Sequence, residues 1–242
     1  MSDTWAMPSG FPDLPPGQVQ VWRLRTERDP AAGLAVLSAE ERQRADRFRT
    51  DLLRARYVAA HAALRLLLGR TLDTPADRLC FRQNSWGKPE LAEGDLRFNL
   101  SHSGPWAVVA LARGIEVGVD VEAVRHPPPL DVAGIAYSVA ERAALAPLSG
   151  PALTAAFFAI WTRKEALSKG IGRGFSFDFT GFTVSANPAE RTSRPVLPPD
   201  LAGADWHLHD LPSIEGAAAA LAVPAAGIGV AAWRFEPGLW GL

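Results

Sequence analysis

Residues 96–122 read LRFNLSHSGPWAVVALARGIEVGVDVE, and this stretch decides the fold. It contains three runs rich in aliphatic and aromatic residues, 96–100, 106–112 and 117–122, which are separated by short segments that contain Gly or Pro. Runs of this length, bounded by turn residues, predict β-strands. The sequence therefore predicts three consecutive strands in the middle of the chain.

Helical patterns flank these strands on both sides. The first extends from Ser38 to Gly69 and is predicted to break at Thr50-Asp51. The second comprises a short helix from Ser138 and a longer one that reaches Lys169. Each segment opens with a Ser-x-x-Glu pattern, which is typical of a capping box at a helix N-terminus.

The order of helix followed by strands occurs twice, because weaker strand patterns at 182–185, 206–211 and 228–235 follow the second helical segment. This repetition predicts an α/β (α+β) fold of two related halves, 1–115 and 116–242. The stretch 217–226 stays open, because alanine favours helix whereas the flanking Gly and Pro favour a short strand.

Composition excludes several classes of protein. Apolar residues make up 48% and charged residues 21%, as in globular chains. No apolar run reaches the roughly 18 residues of a membrane span, and no secretory signal pattern is visible, so we expect a cytoplasmic protein without a membrane anchor. We also expect a monomer. Cys80 alone permits neither an internal disulfide nor a cysteine zinc cluster. A net charge of -1 is too balanced for a protein that acts on nucleic acid.

The pentapeptide GVDVE at 118–122 places two carboxylates on one face of a strand. Side chains alternate along a strand, so Asp120 and Glu122 point the same way, with their Cα atoms about 6.7 Å apart. Two oxygen donors at this spacing can bind one Mg²⁺, whose remaining positions suit water and a substrate phosphate. The alternative is a solvent-exposed face that carries two acids.

The sequence WTRKEALSK begins at Trp161 and ends at Lys169. Trp161, Glu165 and Lys169 lie on one stripe of a helix. With the tryptophan packed against the sheet, Glu165 can complete a metal shell and Lys169 can meet a phosphate. The alternative is an ordinary Glu–Lys pair on a surface helix. Lysine is rare here, since only Lys88, Lys164 and Lys169 occur among 25 basic residues, and a compact ammonium suits a phosphate oxygen in a crowded pocket.

The segment FNLSHSG at 98–104 is a strand that leads into a polar loop. Small hydroxyl groups beside a histidine and a glycine suit phosphate binding. A catalytic pair of Ser101 and His102 is disfavoured, because adjacent residues of a strand point to opposite sides. A purely structural histidine is the alternative.

The order and spacing of the motifs resemble those of the 4'-phosphopantetheinyl transferases, of the longer kind typified by the surfactin-synthetase activator. The matching segments are GKP at 87–89, NLSHSG at 99–104, GVDVE at 118–122 and WTRKEALSK at 161–169. Each is weak alone, whereas four in this order are specific; the last 60 residues add none. The resemblance implies two similar α/β halves in a pseudo-twofold arrangement, with the active site in the cleft between them.

The resemblance also implies the reaction. The phosphopantetheine arm of coenzyme A moves to a serine hydroxyl of an apo acyl or peptidyl carrier protein, and adenosine 3',5'-bisphosphate is released. Mg²⁺, or Mn²⁺ in its place, is the implied metal cofactor. The implied partners are therefore coenzyme A and a carrier protein.

The resemblance assigns roles by position. Asp120, Glu122 and Glu165 match metal ligands. Glu165 and Lys169 match catalytic residues, the first as the base for the incoming serine and the second as a pyrophosphate contact. Nearby positive charge and the bound metal together lead us to expect Glu165 to be ionised at neutral pH. Lys169 and seven further residues match coenzyme contacts; the seven are Arg44, Arg56, Lys88, Pro89, Ser101, His102 and Lys164. Among them, His102, Arg44 and Arg56 are assigned to the 3'-phosphate.

Two other functions remain open from the residues alone. A Mg²⁺-dependent nucleotide phosphohydrolase would use the same carboxylates with water as the acceptor. A noncatalytic RNA-binding protein would use the arginines of 42–56, although the interleaved Asp46 and Asp51 are more typical of a solvated helix face. Strongly salt-dependent RNA binding without coenzyme affinity would favour the RNA-binding alternative.

Overall fold

The computed structural model describes residues 4–27, 29–173, 177–201 and 203–236 of the chain. Within these ranges, no helix is long and apolar enough to cross a membrane. In chain order, the elements are β1 (Gln18–Arg25), α1 (Ala31–Leu34), α2 (Ala39–Ala45), α3 (Asp51–Leu72), β2 (Phe81–Gln83), β3 (Pro89–Leu91), β4 (Leu96–Ser103), β5 (Trp106–Arg113), β6 (Gly118–Ala123), α4 (Leu130–Ala136), α5 (Val139–Leu145), α6 (Gly150–Ile171), β7 (Thr192–Ser193), β8 (His207–Asp210), β9 (Ala217–Val223) and β10 (Gly229–Arg234).

The first sheet contains four strands in the order β10-β1-β5-β4. β1 and β4 each pair antiparallel with β5, whereas β10 pairs parallel with β1 and covers its other edge. Pairing of this edge satisfies backbone groups that would otherwise be open to other chains. The predicted boundary is corrected in this respect, because Gly229–Arg234 belongs to the sheet of the N-terminal half.

The second sheet contains four antiparallel strands in the order β6-β9-β8-β7. The alanine-rich stretch that the sequence left open forms β9, which pairs on both sides. The strand predicted at 182–185 is wrong, since the described residues there form only an isolated bridge between Thr183 and Val196. One physical reason is that the Val184 N–H donates to the Glu141 carboxylate instead of to a strand.

The same order of elements occurs in both regions of the chain. The series β1–α2–α3–β4–β5 has its counterpart in β6–α5–α6–β8–β9, and the strand orders β1-β5-β4 and β6-β9-β8 agree. Helices α3 and α6 each have 22 residues. The break predicted at Thr50-Asp51 is confirmed, because the Thr50 side chain accepts a hydrogen bond from Leu53 N and caps α3.

Apolar side chains fill the space on both faces of each sheet. Helix α3 packs on the outer face of the first sheet, α6 packs on the outer face of the second, and the inner faces pack on each other. Alternation along each strand divides its residues between these layers. Representative buried residues are Leu64 and Val109 in the first layer, Leu167 and Ala222 in the second, and Val21 and Val119 between the sheets.

A buried ion pair joins the short helix to the long helix in each region. Arg65 of α3 is 2% exposed and donates through Nε to Glu41 Oε2 at 2.6 Å. Lys164 of α6 lies 3.0 Å from Glu141 Oε2, and both side chains are fully buried. Both glutamates also close the capping box of their short helix. In both regions, therefore, a glutamate that caps the short helix forms an ion pair with a basic residue of the long helix.

Glu41→Gln is expected to lower the free energy of unfolding by about 3 kcal/mol at neutral pH. Burial raises the pKa of Glu41, but the nearby His61 and hydrogen bonds from Ser38 N and Arg65 lower it from 4.5 to about 2. A lowered pKa stabilises the fold above the unfolded value, and this stability is lost as the pH falls from about 4.5 towards 2. A difference of about 2.5 units corresponds to about 3 kcal/mol.

Urea unfolding at about pH 7 and about pH 3 measures this effect, and the penalty of the variant should shrink by about half at the lower pH. The control is Glu40→Gln, which changes an exposed neighbour and should alter stability by less than about 0.5 kcal/mol. An equal penalty at both pH values would contradict the assignment.

Candidate active site

Polar side chains of β4 join the two sheets. Asn99, Ser101 and Ser103 lie on one face of β4 and accept hydrogen bonds from backbone N–H groups of β6. The bonds are Val119 N to Asn99 Oδ1 at 2.9 Å, Val121 N to Ser101 Oγ at 3.3 Å and Ala123 N to Ser103 Oγ at 3.1 Å. Strand β6 thus has β9 on one edge and this row of side chains on the other.

Asp120 lies beside this junction with 2% exposure. Its Oδ1 accepts hydrogen bonds from Ser101 Oγ at 2.8 Å and from Lys169 Nζ at 2.6 Å. The Ser101 hydroxyl therefore donates to the carboxylate, whereas the sequence-based prediction placed it on the coenzyme. The other oxygen, Oδ2, is buried and has no hydrogen-bond partner among the described residues. A buried oxygen without a donor is costly, so this position suits a ligand.

Glu122 lies on the same face of β6, as the sequence predicted. Its Oε2 accepts a hydrogen bond from Ser103 Oγ at 2.7 Å, and its Oε1 accepts one from Trp161 Nε1 at 3.1 Å. Burial and then the Asp120 carboxylate raise the pKa of Glu122, and these hydrogen bonds partly offset the rise. Trp161 therefore contacts an acid directly, in addition to the packing role predicted for it.

Close backbone packing brings α6 to β6. A Cβ at Gly118 would collide with Ala166 O and with the backbone of Gly170, so the helix contacts the strand without an intervening side chain. Lys169 immediately precedes this contact, which accounts for its ion pair with Asp120.

Glu165 is half-buried one helical turn before Lys169. Burial, followed by the charge of Asp120, raises the pKa of Glu165 to about 7; Glu122 adds to the rise and Lys169 opposes it. Without a metal ion, burial and two nearby carboxylates outweigh one ammonium, whereas the expectation of an ionised Glu165 included the charge of a bound metal. Several carboxylates placed this close together are typical of sites that bind a cation.

The described residues contain no group of three or more His, Cys, Asp or Glu side chains already arranged to hold a metal ion. The predicted shell of Asp120, Glu122 and Glu165 is thus not preformed. The reason is visible in the contacts, since Lys169 occupies one oxygen of Asp120, and Ser103 and Trp161 occupy both oxygens of Glu122. The donor set nevertheless fits a hard ion, because it consists of carboxylate oxygens and includes a buried unpartnered one.

His102 is exposed on the opposite face of β4, on the side of α3. Although part of the side chain reaches solvent, desolvation by the surrounding protein lowers the pKa of His102, and the charges of His61, Lys169, Arg44 and Arg56 lower it further. A histidine surrounded by cations is a favourable place for an anion. The predicted Arg44 and Arg56 thus both act on His102, and the structure adds His61 of α3 to this group.

The two arginines of this group differ in their contacts. Arg56 pairs with Glu27 at 2.6 Å, and its buried Nε has no hydrogen-bond partner among the described residues. Arg44 is exposed, with its guanidinium 5.7 Å from the centre of the Tyr57 ring. Both therefore retain donors that a ligand can use.

The structure contradicts the coenzyme contact predicted for Lys164. Its side chain is fully buried, and its ammonium pairs with Glu141 and donates to Phe179 O and Phe182 O, both at 2.7 Å. Glu165 follows it directly, but adjacent residues of a helix lie about 100° apart around the axis. Lys164 therefore points into the core, while Glu165 faces Asp120 and Glu122, which we call the acidic cluster.

The structure also corrects the contact predicted for the Lys88 side chain. Its Nζ donates to Glu116 Oε2, Val117 O and Gly170 O, which uses all three of its N–H groups within the protein. Pro89 lies exposed at the start of β3, outside the acidic cluster.

Sequence reasoning missed Ser103 as a hydrogen-bond donor to Glu122. The signal was the matching spacing, because Ser101 and Ser103 lie two residues apart, as Asp120 and Glu122 do, so each pair lies on one face of its strand.

Two family models match the chain. The 4'-phosphopantetheinyl transferase superfamily matches residues 116–223, and the N-terminal region of 4'-phosphopantetheinyl transferases matches residues 22–113. HetI, a 4'-phosphopantetheinyl transferase from Nostoc sp., is 31% identical over 234 residues, which cover 92% of this chain and 92% of HetI. The chain belongs to the 4'-phosphopantetheinyl transferase superfamily.

Other relatives of this transferase agree. The 4'-phosphopantetheinyl transferase psf-1 of Bacillus pumilus is 34% identical over 151 residues, 61% of this chain and 63% of that protein. The 4'-phosphopantetheinyl transferase Sfp of Bacillus subtilis is 27% identical over 152 residues, 62% of this chain and 67% of Sfp. The resemblance recognised in the sequence is confirmed, and neither the phosphohydrolase nor the RNA-binding alternative gains support.

Proposed function

We propose that this transferase moves the 4'-phosphopantetheine group of coenzyme A to a serine hydroxyl of an apo acyl or peptidyl carrier protein and releases adenosine 3',5'-bisphosphate. Membership of the superfamily supports this reaction. The structural observation behind it is the joint presence of the acids Asp120 and Glu122 on β6 and of cationic groups from α2, α3 and α6 near β4 and β6. Phosphoryl transfer needs positioning and charge stabilisation more than a protein nucleophile, and the site offers both.

The proposed coenzyme contacts follow from the placement of the cations. Lys169 lies within the acidic cluster and is proposed to meet the pyrophosphate. His102, Arg44 and Arg56 are proposed to bind the 3'-phosphate, which the positive surroundings of the histidine favour. Pro89 remains a proposed coenzyme contact on the strength of the motif alone.

Mg²⁺ or Mn²⁺ is proposed to bind to Asp120, Glu122 and Glu165. Asp120 Oδ2 has no hydrogen-bond partner among the described residues, and the pKa values of Glu122 and Glu165 are raised, so a cation bound here would stabilise all three carboxylates. When bound, such an ion neutralises charge on phosphate oxygens. Glu165 is proposed to accept the proton of the serine hydroxyl, the role that the resemblance implies for it.

We further propose that the repeated element order reflects a pseudo-twofold arrangement with the active site in the cleft between the halves. The matched ion pairs Glu41–Arg65 and Glu141–Lys164 support this proposal. The proposal of a monomer that acts in the cytoplasm without nucleic acid rests on the sequence.

The decisive test incubates the protein with coenzyme A, Mg²⁺ and an apo carrier protein and weighs the carrier by mass spectrometry. The expected result is a gain of one phosphopantetheine group. A carrier whose acceptor serine is replaced by alanine is the control and should gain nothing. Hydrolysis of nucleotides with an unmodified carrier would instead support the phosphohydrolase.

His102→Ala and Arg56→Ala are expected to raise the apparent KM for coenzyme A by about 10-fold to 150-fold, because each removes a charge-assisted hydrogen bond of about 1.5 to 3 kcal/mol. The KM for dephospho-coenzyme A, which lacks the 3'-phosphate, should change much less. Arg54→Ala is the matched control, since Arg54 pairs with Asp46 and is not among the charges that act on His102. Equal losses with both substrates would contradict the assignment.

A further inference from the structure

Lys88 lies where three segments meet. Its Nζ donates to Gly170 O of α6 at 3.2 Å, to Val117 O before β6 at 3.3 Å and to Glu116 Oε2 at 2.7 Å. The side chain is 8% exposed. A single cation from the N-terminal half therefore ties the end of α6 to the start of β6.

The end of α6 is a place where a cation is stabilising. The last carbonyl groups of a helix lack intrahelical partners and form the negative end of its dipole. Gly172 ends α6 with a φ of 75°. Asn84, in the same loop as Lys88, donates through Nδ2 to Gly172 O at 3.2 Å. The loop thus supplies two donors to the helix terminus.

The loop itself is held by hydrogen bonds. Asn84 Oδ1 accepts from Trp86 N and from Lys88 N, both at 2.9 Å. The Lys88 backbone is therefore fixed relative to the Asn84 side chain that contacts α6. This pre-organisation lets a short loop set the position of the helix end.

Any displacement at this junction passes directly to the reacting groups. Gly118 and Gly170 pack backbone against backbone, so β6 and α6 have no side chain between them to absorb a shift. Lys169 precedes Gly170 by one residue, and its 2.6 Å contact with Asp120 lies two residues beyond Gly118. A misplacement of about 1 Å in such a constellation can cost about 100-fold in rate.

We propose that Lys88 is a positioning residue for the transfer reaction. It fixes the C-terminal end of α6 against the start of β6 and acts through Lys169 and Asp120, without contact to the coenzyme. The inference rests on the proposed function, since it concerns the rate of that reaction.

The test compares Lys88→Met with the wild type in steady-state transfer assays. Methionine keeps the length of the stem and removes the cation, while Arg97 still pairs with Glu116 at 3.0 Å, so no carboxylate is left alone. We expect kcat to fall by about 10-fold to 100-fold, with the KM for coenzyme A within about threefold. Calorimetric titration with coenzyme A gives the fraction of molecules that bind, which separates a slower enzyme from a partly unfolded one.

Two further variants sharpen the comparison. Glu116→Gln removes the carboxylate partner but leaves the contacts of Lys88 with α6 and β6, so both kcat and KM should stay within about threefold of the wild type. Lys88→Arg keeps a cation near the helix end and should recover part of the lost kcat.

A raised KM with unchanged kcat would overturn the proposal in favour of a coenzyme contact. Unchanged values of both, or no recovery by Lys88→Arg, would overturn it as well. Failure of the proposed function is distinct, because the wild-type protein would then leave the carrier unmodified.

Discussion

Glu165→Gln is expected to slow transfer by about 10² to 10⁴-fold, the usual effect of a missing general base. Glutamine keeps the size of the side chain and one oxygen, but it cannot accept the serine proton. Burial and the neighbouring Asp120 raise the pKa of Glu165 to about 7 in the protein without a metal ion, and a bound Mg²⁺ would lower it, so that the carboxylate is ionised and can accept the proton. Coenzyme binding should stay within about tenfold of the wild type, because the substituted group touches the reacting hydroxyl rather than the nucleotide.

Single-turnover measurements at saturating coenzyme A and Mg²⁺ check this expectation. Glu90→Gln is the matched control, since Glu90 lies on β3 beside Arg82 and faces no member of the acidic cluster. A near wild-type rate for Glu165→Gln would leave Glu165 as a metal ligand only.

Asp120→Ala is expected to lower the transfer rate by at least about 10²-fold, a loss typical when one preorganised charge-stabilising group is removed. Asp120 is the centre of the site, because Ser101 and Lys169 both donate to it and its second oxygen is unpartnered. Without it, Lys169 loses its only carboxylate contact at ion-pair distance among the described residues. Charge on the phosphate grows towards the transition state, so the rate should suffer more than coenzyme affinity.

Rate and affinity for this variant are measured separately, by carrier mass spectrometry over time and by titration with coenzyme A. Asp46→Ala, which removes an exposed partner of Arg54, should leave both unchanged within about threefold. Unchanged turnover in Asp120→Ala would remove this carboxylate from the mechanism.

Local patterns predicted much of the architecture. The alternation in 118–122 correctly placed Asp120 and Glu122 on one face, because strand geometry fixes that relation without reference to the rest of the chain. Helical spacing likewise placed Trp161 and Lys169 on one stripe of α6, and both donate to the acids of β6. The capping boxes predicted the starts of α2 and α5, since a cap depends on residues three positions apart.

Long-range partners explain what the sequence did not predict. Lys164 carries the same charge as Lys169, and only the buried Glu141 of another helix reveals that it points into the core. The sequence predicted a coenzyme contact for Lys88, because its hydrogen bonds to Val117 O and Gly170 O, which lie far along the chain, are visible only in the structure. Pairing across 82 residues, as between Lys88 and Gly170, has no local signature.

The return of β10 to the first sheet has a consequence for synthesis of the protein on the ribosome. β1 is made first among the described strands and β10 last, yet the two pair side by side. A nascent chain that has released only β1 to β5 therefore exposes a row of free backbone groups along β1, which attracts other extended segments. The region that is translated first is thus the last to complete its sheet, so a pause late in translation would prolong its exposure to aggregation.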